Sequence, residues 1–298
     1  MSKRLGNAVD PFETLEKYGV DATRWYMISN ASPWDNLKFD EAGIEEVRRK
    51  FFATMFQTFK FFSLYANIDQ FNHSEAYIPL ENRQEIDKWI ISLLNTLKKE
   101  VDADFAAYEP TQAARRIQSF ADSHLSNWYV RLCRRRFWKG EYSEDKIAAY
   151  QTLYECLSTI SKLIAPISPY FSDWLFKNLN DVSQLESHPS VHLVDFPQPV
   201  DGAIDKALEE RMDYAQRISS LVLSLRKKDN LRVRQPLKRI LLPVLNPEFQ
   251  GQVEALKDLI MAEVNVKDIE YITDTSGIIK KKAKANFKTL GRKLGKDM

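Results

Sequence analysis

From Asp40 to about Leu179 the apolar residues return every three or four positions, the period of a helix with one face turned inward. In DEAGIEEVRRKFFATMFQTFKFFSLYAN, Val47, Phe51, Met55, Phe59 and Phe62 share a face. The segment NRQEIDKWIISLLNTLKKEVDADF keeps the i, i+3, i+4, i+7 rule through Ile86, Trp89, Ile90, Leu93, Leu94, Leu97 and Val101. Asn82 with Glu85 has the spacing of a capping box. A third long helix is predicted from about Thr111 to Phe137. A fourth, starting after Ser143, turns Ile147, Tyr150, Tyr154, Leu157, Ile160 and Ile164 inward. Pro166 and Pro169 stop it, and a shorter helix through Trp174 and Leu179 follows. Four or five long helices on short connections predict an antiparallel bundle.

The flanks differ. Upstream, Asp10-Pro11 reads as an N-cap with a first-turn proline, Gly19 ends that short helix, and a second begins at Asp21. SPWDNLKF is a polar connection. Downstream, DVSQLESHPSVHLVDFPQPVDG (181–202) breaks the helical pattern and marks a domain boundary. One more helix, ALEERMDYAQRISSLVLSLRKKDN, leads to a strand at Leu237–Leu245, a helix in FQGQVEALKDLIMAEVN and a strand in VKDIEYIT. The fold class is therefore mainly α: an antiparallel helical bundle followed by a small, truncated α/β region. Two visible strands make a marginal sheet.

Composition supports this picture. Only nine glycines in 298 residues argue against an all-β fold, and 44% apolar content is enough for a sizeable core. The net charge of +2 hides an asymmetry. Residues 278–298 carry seven Lys and one Arg against one Asp, leaving the other 277 residues at −5. A polyanion would have to be met by local clusters. Cys133 and Cys156 form no metal-ligand pattern with the four histidines and read as buried thiols. Without a signal peptide or an apolar run near 18 residues, a soluble cytoplasmic protein is expected.

Three basic features could carry chemistry. Lys3-Arg4 lies in an opening loop, MSKRLGN, where a lysine beside a hydroxyl and backbone amides can grip phosphate. SNWYVRLCRRRFWKG (126–140) puts Asn127, Arg131, Arg134 and Trp138 in one arc of a helical wheel, beside a core stripe of Ala121, Leu125, Trp128 and Leu132. Guanidinium groups interleaved with an aromatic can neutralise phosphates and stack on unpaired bases. The same residues also suit a basic helix C-terminus. RKKDNLRVRQPLKR (226–239) places cations on a connection, either as solvated charge or as a phosphate contact. The lysines of 280–296 read as a mobile or truncated segment. No triad, carboxylate pair or metal set stands out in residues 40–298.

MSKRLGN resembles the signature loop of class I aminoacyl-tRNA synthetases, Lys-Met-Ser-Lys-Ser, without its first lysine and with Arg4 in place of the last serine. DPFETLEKYGVDATRWYMI and SPWDNLKFDE resemble the segment linking that loop to the anticodon-binding helices. NWYVRLCRRRFW, APISPYFSDWLF, SVHLVDFP and LRVRQPLK are most similar to isoleucyl-tRNA synthetases. The resemblance covers essentially the whole chain. It implies the end of a catalytic domain at 1–39, the anticodon-binding bundle at 40–200 and a small α/β region with a Lys-rich tail at 201–298.

By the same resemblance, Met1, Ser2 and Lys3 would meet ATP, accompanied by Mg in the full enzyme, and Lys3 would be catalytic, stabilising the pyrophosphate that leaves as the aminoacyl-adenylate forms. The partners implied are isoleucine tRNA, ATP and isoleucine, with no membrane and a monomeric state. Asn127, Arg131, Arg134, Arg135 and Trp138, then Arg232, Arg234 and Gln235, are the tRNA-contact candidates, on charge and location. The nucleotide-binding core is expected upstream of Met1, so this chain alone should not activate isoleucine. A valyl- or leucyl-type synthetase, a stand-alone helical RNA-binding module and a purely structural bundle are the alternatives.

Overall fold

The computed structural model describes residues 9–139, 141–244 and 246–273. Met1, Ser2, Lys3 and the Lys-rich tail lie outside the described residues. The chain divides into two compact units between Glu209 and Glu210.

The first unit opens with α1 (Pro11–Tyr18), capped by Asp10 Oδ1, which accepts from the amides of Phe12 (2.8 Å) and Glu13 (3.3 Å). Gly19, at φ +89°, turns the chain into α2 (Val20–Asn30). A helix end leaves carbonyls without partners, and here α6 (Pro110–Ser119) supplies them. Thr111 Oγ1 donates to the carbonyls of Ile28 (2.7 Å) and Ala31 (3.0 Å), and Arg115 donates to those of Ser29 (2.8 Å) and Asn30 (2.9 Å). The entry segment is thereby pinned to the bundle. A Cβ on Gly43 would stand 2.3 Å from Tyr26 Cε2, so glycine is what lets the following helix approach α2.

The bundle's first long rod is α3 (Glu41–Val47), a π-helical turn (Arg48–Phe52) and α4 (Ala53–Asp69) in continuous succession. Next come α5 (Glu85–Ala106) and a second composite rod: α6, a π-helical stretch (Phe120–Val130) and α7 (Arg131–Trp138). Two more helices, α8 (Glu144–Ile164) and α9 (Pro169–Ser183), complete the unit. Within it, α8 packs against α4, α5, α7 and α9 and is buried almost all round, from Ala148 to Ile164. A helix without a polar face is a core pillar. Among the described residues no helix is long and apolar enough to cross a membrane.

The expected capping box is absent. Gln84 is the N-cap of α5 and makes no side-chain cap bond, while Asn82 closes a 3-10 turn. The reason is Arg83, only 3% exposed. Its guanidinium turns inward to the Ile78 carbonyl (2.9 Å) and Thr152 Oγ1 (2.9 Å), which sets the chain direction before the helix starts.

The connection from α4 to α5 carries a titratable weak point. His73 sits in the left-handed region (φ 66°), its ring centroid 4.6 Å from Phe71 and 4.1 Å from Tyr154. Its Nε2 is buried, with no partner among the described residues. Burial lowers its pKa from 6.5 to about 4, against the pull of Glu75. Between those values the unfolded chain binds the proton more readily than the folded one, so stability rises with pH across that window and is lost as pH falls through it. The urea midpoint should therefore be lower at pH 5 than at pH 7. His73→Asn, which tolerates the left-handed backbone, should flatten that difference; a difference of undiminished size would assign it to other groups.

In the second unit α10 (Lys206–Lys228), which begins just before the division, leads to β1 (Ile240–Pro243), α11 (Pro247–Ala255), α12 (Lys257–Val264) and β2 (Ile269–Ile272). The strands pair in parallel, Ile240 opposite Ile269 and Pro243 opposite Ile272. The strand predicted over 237–245 is shorter: Leu237 makes an isolated bridge to Val266. The helix predicted between the strands is interrupted at Leu256. Pro243 is tolerated because both strands of a two-stranded sheet are edges.

Candidate nucleic-acid interface

The π-helical stretch decides how the basic segment presents itself. Adding a residue per turn moves the inward stripe to Phe120, Ala121, Leu125, Trp128, Tyr129 and Val130, and from there to Cys133 and Phe137 on α7. Leu132, expected in the core, is only half-buried, and Cys133 takes its place. Five-residue spacing also sets Asp122 over Asn127, whose Nδ2 donates to Asp122 Oδ1 at 2.9 Å. That amide is already engaged, beside a carboxylate.

Beyond Val130 the helix is α again. Arg134 and Arg135 are exposed, Trp138 is 49% exposed, and Arg131 is half-buried. Arg131 Nε donates to the Asn127 carbonyl (2.8 Å), and its guanidinium lies 5.7 Å from the Trp128 ring centre. The side chains of Arg134 and Arg135 have no hydrogen bond or ion pair among the described residues. Asn127, Arg131, Arg134, Arg135 and Trp138 thus share one rod, and the two unengaged guanidinium groups lie near its C-terminal end.

Arg136, the third arginine of the run, behaves differently. It grips Asp87 in a bidentate pair (Nη1–Oδ1 2.9 Å, Nη2–Oδ2 2.8 Å) and reaches Asp145 Oδ1 at 2.8 Å. Asp87 is fully buried and also accepts from the Tyr129 hydroxyl at 2.6 Å. Burial pulls the Arg136 pKa down most strongly, but the hydrogen bonds to Asp87 together with the electrostatic pull of Tyr129, Asp87 and Cys133 outweigh it and hold the guanidinium above its usual value. Burial likewise pushes the Cys133 thiol up to about 12, so it stays protonated. Cys133 and Cys156 are both free and buried. The network ties α7 to α5 and to the start of α8, fixing the direction in which Arg134 and Arg135 project. Sequence reasoning missed this role, although Arg136 follows Tyr129 by seven positions and Cys133 by three, on the inward stripe.

Arg232, Arg234 and Gln235 belong to the second unit. They occupy an exposed turn between α10 and β1, closed by the Gln235 amide donating to the Arg232 carbonyl at 3.0 Å. Arg226, which the sequence groups with these cations, is only 2% exposed and donates to backbone carbonyls instead. Among the described residues no group of His, Cys, Asp and Glu could hold a metal ion.

Residues 87–241 match the family model "Anticodon-binding domain of tRNA ligase". The chain belongs to that family. Along its whole length it is similar to isoleucine–tRNA ligases. It is 56% identical over 298 residues to that of Bacteroides thetaiotaomicron, covering 100% of this chain and 26% of the relative. The ligase of Cytophaga hutchinsonii is 58% identical over 295 residues (99% and 27%), and that of Clostridium novyi 40% over 297 (99% and 28%). The chain therefore spans about a quarter of the length of these relatives. A solved ternary complex of Agrobacterium radiobacter K84 agnB2 LeuRS with tRNA and LeuAMS shares the fold, with a TM-score of 0.50 at 14% identity over 91% of this chain and 30% of that one.

Proposed function

We propose that this chain is the tRNA-binding part of an isoleucine–tRNA ligase, which joins isoleucine to its tRNA at the expense of ATP through an aminoacyl-adenylate. Residues 40–200 form the anticodon-binding bundle and 201–298 the appended α/β region. Residues 1–39 end the catalytic domain, with Met1, Ser2 and Lys3 meeting ATP and Lys3 stabilising the departing pyrophosphate. The full enzyme works as a cytoplasmic monomer.

The observation that carries the RNA-binding reading is the α7 face. Arg134 and Arg135 stand exposed beside the half-exposed Trp138, on a rod held by a buried ion pair. Cations of this kind neutralise backbone phosphates, while an exposed indole stacks on an unpaired base. The isoleucine assignment is supported by the identity to isoleucine–tRNA ligases along the whole chain.

Binding of the chain to isoleucine tRNA across a salt series, beside the same tRNA with an altered anticodon, tests the proposal. Tighter binding to the cognate anticodon is expected. Equal, salt-sensitive binding to both would reduce the module to phosphate attraction, and no binding at low salt would overturn the reading.

A further inference from the structure

The turn at 232–235 is held from one side by two residues that carry no exposed charge into solvent. The buried Arg226 donates Nη1 to the carbonyls of Arg232 (3.1 Å) and Gln235 (3.0 Å), and Nη2 to the carbonyl of Asn265 (2.9 Å). Asn265, itself left-handed at φ 50°, donates its side-chain amide to the Val233 carbonyl at 2.8 Å. Three carbonyls of the turn are therefore drawn toward one clamp.

Peptide planarity turns this into a statement about donors. In a trans peptide the N–H points opposite to the preceding carbonyl, and there are no cis peptides among the described residues. With the Arg232 and Val233 carbonyls facing the clamp, the amides of Val233 and Arg234 face away from it. Among the described residues neither amide has a partner. Two adjacent outward N–H groups, flanked by the exposed side chains of Arg232 and Arg234, make a compact set of donors with net positive charge. An oxyanion is the ligand such a set fits, because backbone amides and guanidinium groups both donate to phosphate oxygens.

We propose that the turn 232–235 is a phosphodiester-binding element of the RNA interface. The amides of Val233 and Arg234 take one backbone phosphate together with the Arg232 and Arg234 side chains, and Arg226 and Asn265 act as positioning residues. This rests on the RNA-binding reading above, and assigns to the peptide backbone a role that charge alone does not provide.

The turn's geometry supplies a selective test. Neither Val233 nor Arg234 has a positive φ, so with its closing hydrogen bond the turn is of type I, which accepts proline at its second position. Val233→Pro deletes one amide donor and leaves every charge in place. With 15N-labelled chain, isoleucine tRNA and inorganic phosphate should each shift the Val233 and Arg234 amide resonances. Val233→Pro should weaken tRNA binding about tenfold, the worth of one hydrogen bond to a charged group. Asn265→Gly, which keeps the left-handed backbone but releases the Val233 carbonyl, should weaken it in the same direction, covering the case in which the proline variant misfolds.

If wild-type chain binds tRNA while both variants bind equally well and the two amides stay unmoved, the proposal falls and the RNA-binding reading stands. Amides moved by inorganic phosphate and not by tRNA would make the turn a free-anion site and also overturn it. Failure of the wild-type chain to bind any tRNA removes the broader reading and the phosphodiester assignment together.

Discussion

Replacing Arg136 with Ala is expected to destabilise the first unit by about 3–5 kcal/mol, the cost of stranding a buried charge by removing its partner. The carboxylate left behind is Asp87, with 0% exposure and, among the described residues, only the Tyr129 hydroxyl remaining to it. Asp145 contributes little to this figure, since its side chain is 44% exposed and surface pairs are worth about 0–1 kcal/mol. Against a typical total of about 5–15 kcal/mol, the loss is large.

All six tryptophans lie before Glu210, so fluorescence during urea unfolding follows the first unit alone. The midpoint should fall with little change in slope. The double variant Asp87→Leu, Arg136→Met should recover much of the loss, because an apolar pair of similar volume can replace a buried ion pair at little cost. A single-variant loss below about 1 kcal/mol would show that water reaches Asp87 and that α7 is not anchored through it.

The bundle was legible because its helices obey a period that survives without any tertiary information. Val47, Phe51, Met55, Trp89, Leu94, Leu157 and Ile160 are buried as their spacing requires. What a 3.6-residue wheel cannot show is a change of pitch. The π-helical stretch at Phe120–Val130 moves the core stripe from Leu132 to Cys133 and brings Asp122 to Asn127. Charge was the other limit. Composition treats Arg134, Arg135 and Arg136 alike, yet two are exposed while the third is an internal tie. Arg226 was obscured in the same way by the cations around it, although it continues the buried side of α10 seven positions after Ser219. In both clusters the sequence identified where cations gather, and burial separated those that can reach a ligand from those that hold the backbone.

That separation sets the second large effect. Replacing Arg134 and Arg135 together with Ala should reduce the slope of log affinity against log salt by about two, one for each phosphate left without its cation. Affinity for isoleucine tRNA at low salt should fall on the order of a hundredfold, and the gap to wild type should narrow as salt rises, since counterion release is what the two cations supply. Stability should hardly change, because neither side chain has a hydrogen bond or ion pair among the described residues. This is the reverse of the Arg136 phenotype, adjacent in sequence but opposite in consequence. Trp138→Ala adds a discriminating arm: an indole that stacks on a base contributes affinity without counterions, so its loss should lower binding by about 1–3 kcal/mol and leave the salt slope intact. An unchanged slope in the double arginine variant would mean that these cations only complement the end of the α7 dipole. The tRNA-binding face would then have to be sought elsewhere on the chain.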